Sequence, residues 1–69
     1  MGTSRQQTIE RVISELKKHS SQFTAIAFRA ELGDWGTYID LKEAQRILNE
    51  YVDKGVLTKR RFKNLTIYY

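Results

Sequence analysis

The sequence contains no cysteine and no proline, and only one of its 69 residues is a histidine. Without cysteine the chain has no disulfide framework, no thiolate zinc site and no cysteine nucleophile. The single histidine, His19, has no second histidine with which to bind a metal or form a catalytic triad, and we interpret it as a helix-end residue. The sequence also lacks a glycine-rich phosphate loop. We therefore predict a protein that is not an enzyme and that has no catalytic residues, no metal site and no cofactor.

Long hydrophobic stretches are absent as well. No apolar run approaches the roughly 20 residues that a membrane-spanning helix needs, and the first residues lack the hydrophobic segment of a secretory signal. We expect no membrane partner, no secretion, and a location in the cytoplasm (associated with the nucleoid) or in the nucleus. A chain of this length has room for one domain, and its apolar share of 41% with 29% charged residues is typical of a globular one.

The net charge of +4 is concentrated at the C-terminal end of the sequence. Residues 1–57 contain eight basic and eight acidic residues, whereas residues 58–69 contain four basic residues and no acid. A local basic patch on an otherwise balanced chain indicates an anionic partner, usually nucleic acid or a membrane surface. A basic turn that only improves solubility is the alternative.

The first predicted helix follows a polar N-terminal stretch. Residues 1–7 are polar, so we predict a disordered arm there and a folded domain over residues 8–69. The cap of the helix is either Ser4, in a capping box with Gln7, or Thr8. The apolar residues of the helix recur at i, i+3, i+4 and i+7: Ile9, Val12, Ile13 and Leu16.

The second predicted helix is short and apolar on most sides, which indicates burial between other elements. Thr24 can cap it, and Gly33 is a candidate for the glycine that ends it. The predicted loop over residues 33–39 contains Trp35 and Tyr38. Two interpretations of these aromatic residues stay open, because they either close over the small core or form an exposed contact surface.

The third predicted helix extends over residues 40–54. Asp40 with Glu43 is a variant of the capping box, and Gly55 is typical of the residue that follows a helix. A broad apolar stripe follows one side of this helix. Beside the stripe, a polar flank that spans about 100° of the helix surface carries two amides and two bases. Its members are Lys42, Gln45, Arg46 and Asn49.

After the third helix the pattern changes to that of two strands. Residues 56–62 and 65–69 are rich in β-branched, aromatic and long side chains. Lys63 and Asn64 lie between them, and asparagine tolerates the left-handed conformation that a tight turn needs. These features predict an antiparallel hairpin with a basic tip.

Three helices, the second of them short, followed by a C-terminal β-hairpin form an α+β arrangement that resembles the winged helix-turn-helix superfamily. The resemblance covers residues 8–69, and its most telling part is the sequence ILNEYVDKGVL at residues 47–57, with the return strand IYY at residues 67–69. These stretches look like the passage in that superfamily from the recognition helix into the wing. One departure is the predicted loop over residues 33–39, which is longer than the usual turn between the second and third helices.

The resemblance implies sequence-specific binding of duplex DNA by a small transcriptional regulator or a mobile-element protein. The helix over residues 40–54 would enter the major groove, and the wing, residues 58–66, would contact the backbone or the minor groove. The residue chemistry agrees, because Arg and Lys donate to guanine whereas Asn and Gln form paired hydrogen bonds with adenine. The implied DNA-binding residues are Lys42, Gln45, Arg46 and Asn49 on the helix, and Lys59, Arg60, Arg61, Lys63 and Asn64 on the wing. Because side chains alternate along a strand, Lys59 and Arg61 point to one face and Arg60 points to the other.

A protein-interaction module is the alternative function, since fold alone does not determine function. Trp35, Tyr38, Tyr68 and Tyr69 would then be the anchors, because aromatic residues dominate interface hot spots. For the two C-terminal tyrosines, strand alternation favours a simpler interpretation, with one side chain facing the core and the other facing solvent. A homodimer formed through the first helix, the loop or the edge of the wing also stays open.

Overall fold

The computed structural model describes residues 4–69 and shows three helices followed by a two-stranded antiparallel sheet. The helices are α1 (Arg5–His19), α2 (Ala25–Asp34) and α3 (Leu41–Asp53), and the strands are β1 (Lys59–Phe62) and β2 (Leu65–Tyr68). The predicted α+β order of elements is confirmed. The first three residues of the predicted N-terminal arm lie outside the described residues.

Helix α1 begins at Arg5, before the predicted domain boundary at residue 8. Ser4 is its N-cap: the Ser4 hydroxyl accepts a hydrogen bond from the Gln7 backbone N–H, and the Gln7 side chain accepts one from the Ser4 N–H. This reciprocal pair satisfies backbone donors that a first helical turn otherwise leaves free. The capping box therefore includes residues 5–7 in the helix and corrects the predicted boundary. Thr8, the other predicted cap, is buried within the helix.

Helix α2 ends later than the sequence predicts. It includes Gly33, so the prediction of Gly33 as the terminal glycine is wrong. Gly36 takes that role, with a φ of +86° that suits glycine. The Gly36 N–H donates to the Gly33 carbonyl over 3.0 Å and the Thr37 N–H donates to the Leu32 carbonyl over 2.9 Å, which is a Schellman ending. The connection to α3 therefore comprises residues 35–40.

Helix α3 is one residue shorter at each end than the predicted range 40–54, because Asp40 and Lys54 are its caps. The Asp40 carboxylate accepts a hydrogen bond from the Glu43 N–H over 2.7 Å, and Gly55 has the positive φ of +79° typical of a residue beyond a helix end. Only half of the predicted capping box forms. The Glu43 carboxylate bonds to the Arg46 guanidinium instead of returning to the Asp40 backbone.

The hydrophobic core lies where the helices meet the hairpin. Its largest fully buried side chains are Val12 of α1, Phe28 and Leu32 of α2, and Leu48 of α3. Tyr68 of β2 is also buried, and its ring stacks on Phe23 with 6.2 Å between the ring centroids. Helix α2 packs against both other helices through its buried side, which consists of Ala25, Phe28 and Leu32. Its other side is exposed and includes Ile26 with 63% of its surface accessible, so the predicted burial on most sides is wrong.

The hairpin has a two-residue loop, Lys63 and Asn64, because Phe62 pairs with Leu65. Lys63 takes the left-handed conformation, with a φ of +56°, so the prediction that Asn64 would take it is wrong. The Lys63 ammonium lies 5.7 Å from the centroid of the Phe62 ring, a distance at which the cation is attracted to the ring face.

The strand register determines which side chains share a face of the hairpin. Lys59 pairs with Tyr68 and Arg61 pairs with Thr66, so these four residues point to the same face. Arg60 belongs to the opposite face, as strand alternation predicts.

Strand β2 has a neighbour on both sides at its C-terminal end. The segment between α1 and α2 forms an antiparallel bridge in which Phe23 and Tyr68 exchange backbone hydrogen bonds of 2.9 and 2.8 Å. Within the described residues this bridge covers the outer side of β2 at Tyr68, whereas the outer side of β1 has no strand beside it.

Candidate nucleic-acid interface

Helix α3, the hairpin and the start of α2 enclose an open groove of about 520 Å³. Gln45 and Asn49 of α3 line one side, and Lys59 and Arg61 of β1 line another. Asn64 of the turn also lines the groove. Five of the nine residues that the resemblance assigns to DNA binding therefore share one concave surface.

No Asp or Glu of the described chain lines this groove. The other lining residues are apolar or carry hydroxyls: Thr24, Ala25, Ile26, Leu41, Leu65, Thr66 and Tyr68. Thr24 is the N-cap of α2 and accepts a hydrogen bond from the Ala27 N–H over 3.2 Å, so the positive end of the helix dipole lies at the groove. Two cations without an opposing carboxylate give the groove a positive potential, which favours an anionic partner.

Asn49 connects two sides of the groove. Its side-chain oxygen, Oδ1, accepts a hydrogen bond from the Tyr68 hydroxyl over 3.2 Å and another from the Lys59 ammonium over 3.4 Å. Burial raises the pKa of Tyr68, so the hydroxyl keeps the proton that it donates. These contacts position the Lys59 ammonium beside α3.

Arg46 lies outside the groove, on the part of α3 that faces α1. Its guanidinium forms ion pairs with Glu43 and, over 2.8 Å, with Glu50. The hydrogen bond with Glu43, followed by the charges of both carboxylates, raises the pKa of Arg46. Arg5 of α1 approaches the same Glu43 carboxylate at 3.6 Å. The structure therefore separates Arg46 from Gln45 and Asn49, with which the sequence grouped it.

Three further residues of the predicted set are placed apart from the groove lining. Lys42 is exposed on α3, and Lys63 is exposed at the hairpin turn beside the Phe62 ring. Arg60 lies on the face of β1 opposite to Lys59 and Arg61. The nine predicted residues thus do not share one surface.

The groove lining also includes Thr66, Tyr68 and Ile26, which the sequence did not indicate. A signal for the first two was available, because the cross-strand partners of Arg61 and Lys59 must share their face once the register is known. No local signal could place Ile26 there, since the position of α2 depends on packing between distant parts of the chain.

The aromatic residues of the loop between α2 and α3 are exposed: Tyr38 has 84% and Trp35 has 45% of its surface accessible. Of the two interpretations left open by the sequence, the structure favours the exposed surface. The Trp35 indole N–H donates to Glu31 over 3.3 Å, and the Arg11 guanidinium lies 5.5 Å from the ring centroid. Both contacts hold the indole in one orientation on the surface.

The C-terminal tyrosines alternate between core and solvent. Tyr68 is buried and Tyr69 is exposed, as strand alternation predicts. Tyr68 is therefore not available as a surface anchor, which corrects that part of the protein-interaction alternative.

Within residues 4–69 no group of three or more His, Cys, Asp or Glu side chains is placed to hold a metal ion. None of the helices in this range has the length and apolar character needed to cross a membrane. No protein-family model, curated protein or solved structure matches the chain.

Proposed function

We propose that the protein is a winged-helix domain that binds duplex DNA in a sequence-specific manner, with α3 in the major groove and the hairpin on the backbone or in the minor groove. One observation carries this proposal: α3 and the hairpin form a groove lined by cations and amides, without a carboxylate among the described residues. The role that we propose is that of a small transcriptional regulator or of the DNA-binding part of a mobile-element protein.

Phosphate binding is the component of this function that the groove supports most directly. Lys59 and Arg61 supply positive charge, and neutralisation of phosphates by such side chains releases counterions, which favours binding. The N-terminus of α2, at Thr24, adds the positive end of a helix dipole. These groups border an open groove, which suits a sugar–phosphate strand that passes through it.

Base recognition depends on the exposed polar side chains of α3. Gln45 lines the groove and Lys42 is exposed on the same helix. Neither side chain forms a hydrogen bond within the described residues, so both are available to base edges in the major groove. Contacts of this kind select the sequence, whereas phosphate contacts fix position and contribute affinity.

Fluorescence-anisotropy titration with a labelled mixed-sequence duplex, repeated over a range of salt concentrations, tests the proposal. We expect saturable binding with a log–log salt slope of about −3 to −6, as several neutralised phosphates require. Absence of binding at low salt would reject DNA binding as the function.

Two adjacent arginines provide a matched pair of variants that locates the interface. Arg61→Ala and Arg60→Ala each remove one positive charge from β1, but Arg61 lines the groove and Arg60 lies on the opposite face. We expect Arg61→Ala to weaken binding to all duplexes and to reduce the salt slope by about 0.9, with a smaller effect of Arg60→Ala. Equal effects would show that net charge, and not the groove, determines binding.

Protein docking is the second candidate function, and the exposure of Trp35 and Tyr38 favours it. In that case the indole and phenol rings would anchor a partner protein. Trp35→Ala should then abolish partner binding while the thermal unfolding of the domain stays cooperative. Loss of the folded state in this variant would show that Trp35 has a structural role instead.

A further inference from the structure

The side-chain amide of Asn49 has a defined orientation. Two donors approach its Oδ1 atom, the Tyr68 hydroxyl at 3.2 Å and the Lys59 ammonium at 3.4 Å. An ammonium group has donors only, so the atom that faces it must be the amide oxygen and not the amide nitrogen. The Asn49 NH₂ group therefore points away from these two contacts.

This orientation divides the hydrogen-bonding capacity of Asn49 unequally. The oxygen is engaged within the protein, whereas the NH₂ group donates to no protein acceptor among residues 4–69. Asn49 is half-buried and lines the groove. It thus offers a bound ligand two donor hydrogens and little acceptor capacity.

Adenine recognition by asparagine needs both halves of the amide, because the oxygen accepts from the N6 amino group while the nitrogen donates to N7. Guanine offers two acceptors on the same edge, N7 and O6, and phosphate offers acceptors only. With its oxygen occupied, Asn49 can donate to N7 of either purine but cannot accept from the adenine N6 group, so it fits the guanine edge better, although the residue type alone indicates adenine recognition.

We propose that Asn49 is a fixed hydrogen-bond donor in the groove, directed at an acceptor-only group of bound DNA, and that where this group is a base edge it favours guanine over adenine. This inference rests on the proposed duplex binding and specifies which chemistry the groove selects. The acceptor is the guanine edge or a phosphate oxygen, and the two are distinguished by dependence on base sequence.

Gln45 provides the internal comparison. It lies one helical turn before Asn49 on the same side of the groove, and its amide forms no hydrogen bond within the described residues. A free amide can rotate to present both donor and acceptor, so Gln45 retains the capacity for adenine that Asn49 lacks.

The test uses two variants that add the same negative charge, Asn49→Asp and Gln45→Glu. Asn49→Asp preserves the shape and the oxygen that Tyr68 and Lys59 contact, but it replaces the donor with an acceptor. Duplexes selected from a random pool by the unaltered protein are compared with duplexes in which single guanines are replaced by adenine or 7-deazaguanine, or single phosphates by methylphosphonate.

If Asn49 donates to guanine, one position of the selected site prefers guanine over adenine by about 5- to 160-fold, the range that corresponds to one good base contact. We expect replacement of this guanine by adenine to reduce affinity in the unaltered protein and in Gln45→Glu, but not in Asn49→Asp, whose carboxylate cannot donate to O6. The 7-deazaguanine duplex, which keeps O6 and lacks N7, shows whether N7 accepts a hydrogen bond as well. If Asn49 donates to phosphate, a methylphosphonate at one position reduces the affinity of the unaltered protein and of Gln45→Glu but has no further effect in Asn49→Asp. No base preference accompanies this contact. Tyr68→Phe removes one of the two donors to the Asn49 oxygen, which can then accept a hydrogen bond from adenine N6. If the contacted base is guanine, we therefore expect the ratio of guanine affinity to adenine affinity to fall in this variant.

Two outcomes would overturn the inference while duplex binding stands. The first is that the unaltered protein prefers adenine at one position of the selected site and that Asn49→Asp loses this preference. The second is that every base and phosphate replacement changes the affinity of Asn49→Asp by the same factor as that of the unaltered protein. Failure of the unaltered protein to bind any duplex at low salt would reject the proposed function and this inference together.

Discussion

The hydroxyl of Tyr68 in β2 donates a hydrogen bond to the side-chain oxygen of Asn49 in α3, over 3.2 Å. The Tyr68 ring is buried and stacks on Phe23, so the same residue belongs to the core and to the wall of the groove. The position of the hairpin relative to α3 is therefore coupled to core packing, and variants of this pair report on both.

Tyr68→Phe keeps the buried ring and removes only the hydroxyl. We expect a decrease in the free energy of unfolding of about 0.5–1.5 kcal/mol, the usual net contribution of one hydrogen bond. Urea denaturation measures it. Tyr69→Phe is the matched control, because Tyr69 is exposed and its hydroxyl has no partner in the described part of the chain. Equal losses in both variants would contradict a stabilising Tyr68–Asn49 bond.

Two buried tyrosines, Tyr51 of α3 and Tyr68 of β2, predict a loss of stability at alkaline pH. Burial raises the pKa of Tyr68, and burial, reinforced by the charge of Glu10, raises the pKa of Tyr51. The folded state thus holds these protons more tightly than the unfolded chain, whose tyrosines titrate near pH 10. Their stabilising contribution is complete below about pH 10 and declines as the pH rises through the folded-state pKa values.

Denaturation curves recorded between about pH 8 and pH 11 measure this effect, with Tyr51→Phe/Tyr68→Phe as the reference protein. The double variant should lose less stability over this interval than the unaltered protein. A parallel decline in the two proteins would assign the alkaline effect to other groups, such as the lysines.

Substitution by alanine should change the stability of the domain in opposite directions at Gly33, within α2, and at Gly36, just after it. Gly33 lies within the helix, and a Cβ added there would lie 3.6 Å from the Tyr38 ring, an ordinary contact distance. Gly33→Ala should therefore stabilise the domain by about 0.5–1 kcal/mol. Gly36 has a φ of +86°, so Gly36→Ala should destabilise it by about 1–2 kcal/mol. Thermal denaturation of the two variants measures both, and a reversed order would contradict the Schellman ending at Gly36.

Removal of the Glu43 charge should increase DNA binding. Glu43→Gln removes one of the two carboxylate partners of Arg46, while the ion pair with Glu50 remains. The guanidinium is then less neutralised within the protein, and we expect it to add at most about one phosphate contact and to steepen the salt slope by up to about 0.9. Asp53→Asn removes the same charge from α3 without affecting Arg46 and is the control. The extra slope should also disappear when Glu43→Gln is combined with Arg46→Ala.

The sequence predicts those features of the fold that depend on residues close to one another in the chain. The apolar stripes of α1 and α3, the Asp40 cap and the glycine after α3 are local signals, and the structure confirms them. The sequence indicated Gly33 as the end of α2, whereas the structure places the positive φ at Gly36, and this choice depends on packing that no local signal reports. The Phe23–Tyr68 bridge joins segments that are distant in the sequence and has no local signal.

For the candidate site, residue types and helical angles were sufficient to find Gln45, Asn49 and the alternation of β1, but not the partners of each side chain. Arg46 lies within the angular range of the polar flank, yet Glu43 and Glu50 at i−3 and i+4 attract its long side chain away from the groove. Those spacings are visible in the sequence and could have indicated the pairing. The engagement of the Asn49 oxygen depends on Tyr68, which only the tertiary structure brings to α3.

The uncovered side of β1 has a consequence for solubility. Thr58 and Tyr69 exchange both of their backbone hydrogen bonds, and antiparallel pairs alternate in this respect, so the backbone groups of Lys59 and Arg61 point outward at the open edge. Such an edge invites another strand to pair with it, and cationic side chains are a common protection against self-association. Lys59 and Arg61 would thus keep copies of the protein apart in solution, and a polyanion that neutralises them would remove this protection while it occupies the groove.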